Sequence, residues 1–221
     1  MSKLSKRLNT IAEIVTGKII CDVGCDHGKL SEYLLTNKRI DFAYVSDISQ
    51  GSLDKAIKLL SSRNLNFKAI CTDGLIGYSG IEDIDECIIS GMGGYEIINI
   101  IKYSPININS YILSPQHNII EVKEFLLSNN YDITFDIIIK DKNKFYNVFR
   151  CVKCSNRINY SKYDLMFGKN NFNNINSNIE EYIEYELTKI ENLNDKAKEN
   201  KEMMEKYTLL KIAKKELEKY E

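Results

Sequence analysis

The sequence predicts an α/β fold in which a mostly parallel sheet ends in an antiparallel hairpin and is followed by helices. Three observations support this prediction. Short apolar runs alternate with segments of helical periodicity over residues 18–129. Two strand-like runs then follow each other with only a charged turn between them. From residue 179 onward, apolar residues recur mainly at helical spacing.

The elements predicted for the first part of the chain favour parallel strands with right-handed crossovers. An amphipathic helix over residues 5–16 precedes the first strand. The predicted strands are 18–23, 42–46, 67–71, 86–90 and 110–113, and the predicted helices among them are 29–37, 52–61, 95–102 and 119–129.

The pattern changes after residue 130. Residues 131–139 and 145–152 are strand-like runs joined by a charged turn over 141–144, which indicates a hairpin. A βα repeat that closes with such a hairpin is typical of Rossmann-like class I methyltransferases, whereas dehydrogenases with Rossmann folds usually lack it. We therefore expect a sheet of the former type.

The C-terminal part of the chain predicts a helical hairpin or coiled coil. Residues 170–178 are rich in Asn and resemble a linker, and 192–200 are the expected break between two helices. We expect residues 1–155 to form an α/β domain with its N-terminal helix, and residues 156–221 to form a linker and an α-helical coiled-coil domain. The apolar stripes of the two helices are Ile179, Ile183, Leu187 and Ile190, and Met204, Tyr207, Leu210, Ala213 and Leu217.

Composition limits the possible classes of protein. The 221 residues are 43% hydrophobic and 28% charged with a net charge of -1, so a nucleic-acid enzyme would have to gather its cations locally. No apolar run is long enough for a membrane span, and Met1 to Thr10 is too polar for a secretory signal. Six cysteines, several in apolar runs, favour a reduced cytoplasmic protein. Cys151 and Cys154 have zinc-like spacing, but because no second pair follows them we expect no metal.

The segment from Ile20 to Gly28 contains the first candidate site, Asp22-Val23-Gly24-Cys25-Asp26-His27. Gly24 allows close approach of a ligand to the backbone, and the helix that follows offers free N–H groups. The Gly-x-Gly-x-x-Gly fingerprint of dinucleotide sites is absent. Asp22 is instead placed to bind the ammonium of S-adenosylmethionine, directly or through water. The alternative is an ordinary strand-to-helix turn.

Acidic residues also follow the second and third predicted strands. Asp47 can accept hydrogen bonds from ribose hydroxyls, with Ile48 against the adenine face, although 47–49 could also serve only as a helix cap. Asp73 can reach the adenine amino group, and Gly74 permits the sharp turn. Because parallel strands end at one edge of a sheet, these residues and Asp22 should gather there.

The string Ser90-Gly91-Met92-Gly93-Gly94 follows the fourth predicted strand. Three glycines around one Met make a loop of little bulk, suited to the close passage of a flat substrate or the cofactor. The alternative is that the next helix simply needs a loose start.

Together these motifs resemble those of the bacterial tRNA (adenine(22)-N(1))-methyltransferases. The resemblance extends from the first helix to about residue 152, and Lys29 and Gln116 differ from the residues usual in the family. It rests on five strings: Leu4-Ser5-Lys6-Arg7-Leu8, Asp22 to His27, Asp73-Gly74-Leu75, Ser90 to Gly94 and Leu113-Ser114-Pro115-Gln116, with Lys144-Phe145-Tyr146 in support.

The resemblance implies S-adenosylmethionine as cofactor, S-adenosylhomocysteine as product and tRNA as partner, with a monomer or weak homodimer expected. The expected cofactor-binding residues are Asp22, Gly24, Cys25, His27, Asp47, Ile48, Asp73, Gly74, Ser90, Gly91 and Met92. The expected substrate-binding residues are Lys6, Arg7, Lys29, Gly93, Pro115, Gln116 and Tyr146. Asp26, His27, Gly91, Met92 and Gln116 are the candidates for a catalytic role.

Methylation at adenine N1 uses an in-plane lone pair, so positioning supplies most of the catalysis and no proton must leave for the bond to form. Backbone carbonyls of Ser90 to Gly93, or the amide of Gln116, could stabilise the developing charge. Three alternatives stay open: a class I methyltransferase for another RNA site or a small molecule, and a non-catalytic module that binds the cofactor or RNA. A nicotinamide dehydrogenase is disfavoured by the missing glycines and the hairpin.

Overall fold

The computed structural model describes residues 3–155, 159–169, 171–173, 177–193 and 200–218. Its centre is a seven-stranded sheet of order β3-β2-β1-β4-β5-β7-β6. The strands are β1 (Ile19–Val23), β2 (Phe42–Asp47), β3 (Phe67–Cys71), β4 (Glu86–Ser90), β5 (Ser110–Ser114), β6 (Tyr131–Asp141) and β7 (Lys144–Lys153). The helices are α1 (Lys6–Ile14), α2 (Lys29–Thr36), α3 (Gln50–Ser61), α4 (Gly94–Lys102), α5 (Ile119–Ser128), α6 (Lys162–Phe167), α7 (Ile179–Glu191) and α8 (Lys201–Leu217).

The sheet confirms the predicted fold class. Strands β1 to β5 pair in parallel, and the β6–β7 hairpin joins the sheet through an antiparallel pairing of β7 with β5. Most element ends fall within two residues of the prediction, and β3 and β4 agree with it fully. The hairpin strands are longer than predicted because pairing continues through the charged residues up to Asp141 and Lys144.

Two hydrophobic clusters cover the two faces of the sheet. The first packs α1, α2 and α3 on one face, with Ile20 and Ile88 at its centre. The second packs α4 and α5 on the other face, around Ile89 and Leu113. Because both faces are covered, the strands read as continuous apolar runs in the sequence.

A third cluster joins the C-terminal helices to the hairpin. Phe167 of α6, Ile183 of α7 and Leu210 of α8 are fully buried together with Ile138 of β6. Beside it, Lys123 of α5 is wholly buried and its Nζ lies 2.6 Å from Oδ2 of Asp136 on β6. These contacts fix the first part of the C-terminal segment against the sheet.

The Asn-rich segment predicted as a linker is partly anchored to β6. The backbone N–H of Ile138 donates to Oδ1 of Asn171 at 2.9 Å, and that of Lys140 donates to Oδ1 of Asn178 at 2.7 Å. Residues 170 and 174–176 lie outside the described residues. The expected break at 192–200 falls between the end of α7 and the start of α8, and its residues 194–199 are likewise not described.

The topology positions the site at one edge of the sheet. The parallel strands β1 to β5 all end there, and Ser90 at the end of β4 pairs with Ser114 at the end of β5. Strand β6 runs in the same direction, so the hairpin turn after Asp141 lies at this edge too. Among the described residues, no helix is long and apolar enough to cross a membrane.

Candidate active site

Asp22 is the penultimate residue of β1 and points its carboxylate at the start of α2. Its Oδ2 accepts a hydrogen bond of 2.7 Å from the hydroxyl of Ser31, and the residue is 6% exposed. Burial raises the pKa of Asp22 to about 6; the Ser31 hydrogen bond lowers it and the charge of Asp47 raises it. A carboxylate desolvated in this way gains most from a cationic ligand. Ser31 gives no sequence signal of this role.

The turn after β1 is shaped by Gly24. Its φ is +69°, and a Cβ there would lie 2.2 Å from Cε of Met92. The backbone N–H groups of Gly24 and Cys25 both donate to the carbonyl of Ser46, at 2.8 and 2.9 Å. Burial raises the pKa of the Cys25 thiol, which suits a packing role better than a nucleophilic one.

Asp47 ties the first two strand ends together. Its Oδ2 accepts from the backbone N–H of Asp26 at 3.1 Å, and its Oδ1 accepts from that of Ser49 at 2.8 Å. Each carboxylate oxygen retains a further acceptor position. The alternative prediction, that residues 47–49 serve as a helix cap, is therefore partly right. Asp47 fixes the start of α3, but part of its carboxylate remains available to accept hydrogen bonds from a ligand.

Three other predicted residues lie along the same edge beside Asp47. Ile48 follows Asp47 directly, and 71% of its surface is exposed, which is unusual for so large an apolar side chain. Asp73 is exposed after β3. Gly74 has φ +55°, and a Cβ there would lie 2.8 Å from Cγ1 of Ile100. This edge offers one apolar surface flanked by two carboxylates.

His27 is half-exposed at the mouth of the β1–α2 turn. Its Nε2 lies 3.2 Å from Nζ of Lys55 on α3 and 3.6 Å from Oδ1 of Asp26. Lys55 was not predicted, because only the packing of α2 against α3 brings it near His27. Asp26 itself has φ +50°, a conformation that its short polar side chain tolerates.

The loop after β4 packs closely on the loop after β5. The N–H of Gly91 donates to the carbonyl of Ser114 at 3.0 Å, and that of Gln116 donates to the carbonyl of Met92 at 2.9 Å. The side chain of Gln116 also donates through Nε2 to the carbonyl of Gly91. A Cβ at Gly93 would lie 2.7 Å from Cε1 of His117, so the glycine is required for this approach. Pro115, between the two loops, is buried.

Several predicted residues surround one cavity at the end of β1 and β4. The hydroxyl of Ser90 is buried there and has no hydrogen-bond partner among the residues that the structure describes. Leu8 and Leu30, which the sequence did not single out, supply apolar surface. The cavity is lined by Arg7, Leu8, Asp22, Gly24, Cys25, Asp26, His27, Lys29, Leu30 and Ser90.

Two predicted substrate residues on α1 point in different directions. The guanidinium of Arg7 lies over the ring of Tyr146, 4.9 Å from its centroid, and faces the cavity. Lys6 instead reaches the C-terminal segment, where its Nζ donates to Oδ1 of Asn178 at 3.0 Å. The structure thus brings Arg7 to the cavity, with Tyr146 against its guanidinium, and leaves Lys6 outside the cavity.

A parallel sheet closed by a hairpin, with carboxylates at the ends of β1 and β2 and a glycine-rich loop after β4, defines a class I methyltransferase. The family model described as "Methyltransferase domain" matches residues 4–149. The chain belongs to this methyltransferase family.

The sequence is 33% identical over 151 residues to a Mycoplasma genitalium protein named "Putative tRNA methyltransferase", covering 66% of this chain and 68% of the relative. It is 29% identical over 155 residues to the Bacillus subtilis tRNA (adenine(22)-N(1))-methyltransferase, covering 66% of this chain and 63% of that protein. The structure of M. capricolum TrmK in complex with S-adenosyl-homocysteine is similar, with a TM-score of 0.78 and 27% identity over 99% of this chain and 98% of that one. Within the methyltransferase family, the chain therefore belongs to the TrmK-like tRNA methyltransferases.

Among the described residues, no group of three or more His, Cys, Asp or Glu side chains is arranged to hold a metal ion. Cys151, one of the two cysteines with zinc-like spacing, is buried inside β7.

Proposed function

We propose that this protein transfers a methyl group from S-adenosylmethionine to N1 of an adenine in tRNA, at position 22. The observation that carries the proposal is the gathering of Asp22 and Ser90 around one cavity, with Met92 and Gly91 next to two residues that line it, Gly24 and Arg7. It occurs in a chain related to the B. subtilis tRNA (adenine(22)-N(1))-methyltransferase.

The residues at this edge of the sheet are suited to each part of S-adenosylmethionine in turn. The buried carboxylate of Asp22, whose pKa is raised to about 6, needs a cation, and an ammonium group supplies one. Asp47 keeps acceptor positions for ribose hydroxyls. The exposed face of Ile48 is suited to an adenine ring, and Asp73 to the amino group of that ring.

Methyl transfer to adenine N1 requires little acid–base catalysis. S-adenosylmethionine supplies an electrophilic methyl group, whose bond to sulfur breaks as its bond to the adenine N1 lone pair forms. The loop of Gly91 and Met92, braced by Gln116, then serves to hold the base in line. Oε1 of Gln116 is an acceptor that can face the exocyclic amine as positive charge develops on the base. Asp26 and His27 lie at the mouth of the cavity as contacts and not as required bases.

The remaining parts of the chain would hold the RNA. We place the division between the catalytic domain and the helical C-terminal domain near residue 155, and we assign Lys6 and Lys29 to contacts with tRNA phosphates. An adenine paired through N1 would have to leave its stack, at a cost of a few kcal/mol. We place the reaction in the cytoplasm, where its tRNA substrate is found.

The test is a transfer assay with radiolabelled S-adenosylmethionine and unmodified bacterial tRNA, followed by digestion and identification of the labelled nucleoside. We expect 1-methyladenosine, and loss of at least about 100-fold in kcat/KM for Asp22→Asn, since a buried charge pair is removed. Asp41→Asn is the matched control, because Asp41 is an exposed carboxylate at the opposite edge of the sheet. Another labelled nucleoside would reject the adenine N1 assignment.

A further inference from the structure

Arg7 stands out among the arginines of the described residues. Arg150 pairs with Glu86, Arg63 pairs with Glu32, and Arg39 donates to backbone carbonyls of α1 and the residue after it. The guanidinium of Arg7 has no hydrogen-bond acceptor within the described part of the chain. An Arg carries five N–H donors in a planar fork, so this one is left with its donors available for a ligand.

The position of Arg7 is nevertheless well fixed. Its backbone N–H donates to Oδ2 of Asp141 at 3.2 Å, and its guanidinium lies over Tyr146. Nη2 also lies 3.4 Å from where a Cβ of Gly91 would be, so the glycine leaves room for the guanidinium. The fork therefore packs on an aromatic ring and close to a glycine, at the wall of the cavity that Asp22 also lines.

The cavity thus carries opposite charges. Asp22 supplies a buried negative charge and Arg7 a half-buried positive one. Ser90 Oγ beside them has no hydrogen-bond partner in the described part of the chain. This arrangement complements an α-amino acid, which carries an ammonium and a carboxylate on one carbon. A guanidinium binds a carboxylate through two parallel hydrogen bonds.

We infer that Arg7 binds the carboxylate of the amino-acid end of S-adenosylmethionine, while Asp22 binds its ammonium. The inference rests on the proposed function, in particular on the cofactor. It moves Arg7 from the substrate-binding residues that the sequence predicted to the cofactor site. Tyr146 then acts as a positioning residue, because its ring packs against the guanidinium.

Two other groups compete for the same carboxylate. Lys29 lines the cavity but is exposed, so water screens its charge. The first N–H groups of α2 lie at the same turn, with Gly28 as an N-cap that makes no side-chain hydrogen bond. Arg7 is favoured over both because its fork is held in place before the ligand arrives.

The test compares two ligands by calorimetry: S-adenosylhomocysteine and its analogue that lacks the carboxylate. For the wild-type protein we expect the analogue to bind about 10- to 100-fold more weakly, the range expected for hydrogen bonds to a charged group. In Arg7→Met, binding of S-adenosylhomocysteine should weaken by the same factor, and the two ligands should bind almost equally. Arg7→Lys should recover part of the difference.

Lys29→Met is the comparison variant and should keep the full preference for the carboxylate. If Lys29→Met abolishes the preference and Arg7→Met keeps it, the carboxylate belongs to Lys29 and the inference is wrong. If neither variant changes the preference, the carboxylate binds the N-terminus of α2 and the inference is again wrong. An unchanged melting temperature of Arg7→Met shows that a lost preference is not unfolding.

The outcome for the proposed function is separate. If wild-type protein binds neither ligand, the cofactor assignment fails, and this inference fails with it. If the wild-type protein binds both ligands with the expected preference but methylates no tRNA, the role of Arg7 is supported and the assignment of tRNA as substrate is wrong. Filter binding of tRNA to Arg7→Met should match the wild type, since the guanidinium serves the cofactor.

Discussion

At the end of β1, Asp22 has a hydroxyl donor on one side and a cavity on the other, and its pKa is raised to about 6 by burial. We expect affinity for S-adenosylmethionine to fall about tenfold between pH 7 and pH 5, because Asp22 then loses the charge that binds the ammonium. The α-amino group, with an ordinary pKa of about 8, stays protonated over this range. Calorimetry at pH 5, 6 and 7 measures the change.

Asp22→Asn should bind weakly with no such dependence on pH, and an equal dependence in this variant would contradict the assignment. The titration of Asp22 changes the free energy of folding with pH in the direction opposite to its effect on cofactor affinity. A carboxyl whose pKa is higher in the folded than in the unfolded state makes folding less favourable as the pH rises from about 4 to about 6. Loss of binding at pH 5 would thus not come from the titration of Asp22 unfolding the protein.

Gly24 gives a second test at single-residue scale. In Gly24→Ala the new methyl group would meet Cε of Met92, and the positive φ would add strain of about 1–2 kcal/mol. Met92 can move, but only by leaving its place over the turn, so we expect cofactor affinity to drop about tenfold or more by calorimetry. Gly51→Ala is the matched control.

At Gly51 a Cβ would find nothing closer than 3.9 Å, and the residue lies in the first turn of α3. This variant should bind the cofactor normally and gain about 0.5–1 kcal/mol in free energy of unfolding. Equal affinities of the Gly24 and Gly51 variants would show that the turn does not need glycine.

The strand-end residues could be predicted from sequence, because parallel strands necessarily bring Asp22 and Asp47 to one edge. Their partners could not. Ser31 and Lys55 reach the site only through the packing of α2 and α3. The place of Arg7 over Tyr146 depends on a contact between residues far apart in the chain, which no local pattern reports.

At the scale of elements, the best predicted segments are those whose apolar runs are bounded by turn residues, such as β3 and β4. Helix α6 was missed, since six residues are too few to show a period. Its only local signal is the capping box, in which Ser161 and Asp164 bond each other's backbone N–H groups.

The pair of Lys123 and Asp136 makes a prediction about how α5, β6 and α6 hold together. Nζ of Lys123 also donates to the carbonyl of Leu165 at 2.9 Å. Lys123→Met leaves the buried Asp136 without its partner, so we expect a loss of about 3–5 kcal/mol in free energy of unfolding. Urea denaturation followed by circular dichroism measures it.

The double variant Lys123→Met with Asp136→Leu should recover most of that loss, because no buried charge remains. Lys162→Met is the control, since its ion pair with Glu205 is exposed and should not matter measurably. A Lys123 variant as stable as the control would mean that the pair does not hold α6 to the sheet.

At the scale of the whole molecule, one edge of the sheet contains Asp22, Asp47, the Gly91–Met92 loop and the hairpin turn. The helices α6, α7 and α8 pack on the same hairpin through Ile138. A tRNA held by the helical part would therefore meet the edge at which the methyl group is transferred. The sequence predicted α7 and α8 from their apolar stripes. The attachment of this segment to β6 also depends on Asn171 and Asn178, which lie in a stretch whose polar composition resembled a linker.

The most direct test of the account is methyl transfer to two tRNA transcripts that differ only at position 22. We expect the transcript with adenine there to gain one methyl group per molecule as 1-methyladenosine, and the transcript with guanine there to gain none. Equal labelling of both transcripts, or label in another nucleoside, would contradict the assignment of adenine 22 as the acceptor.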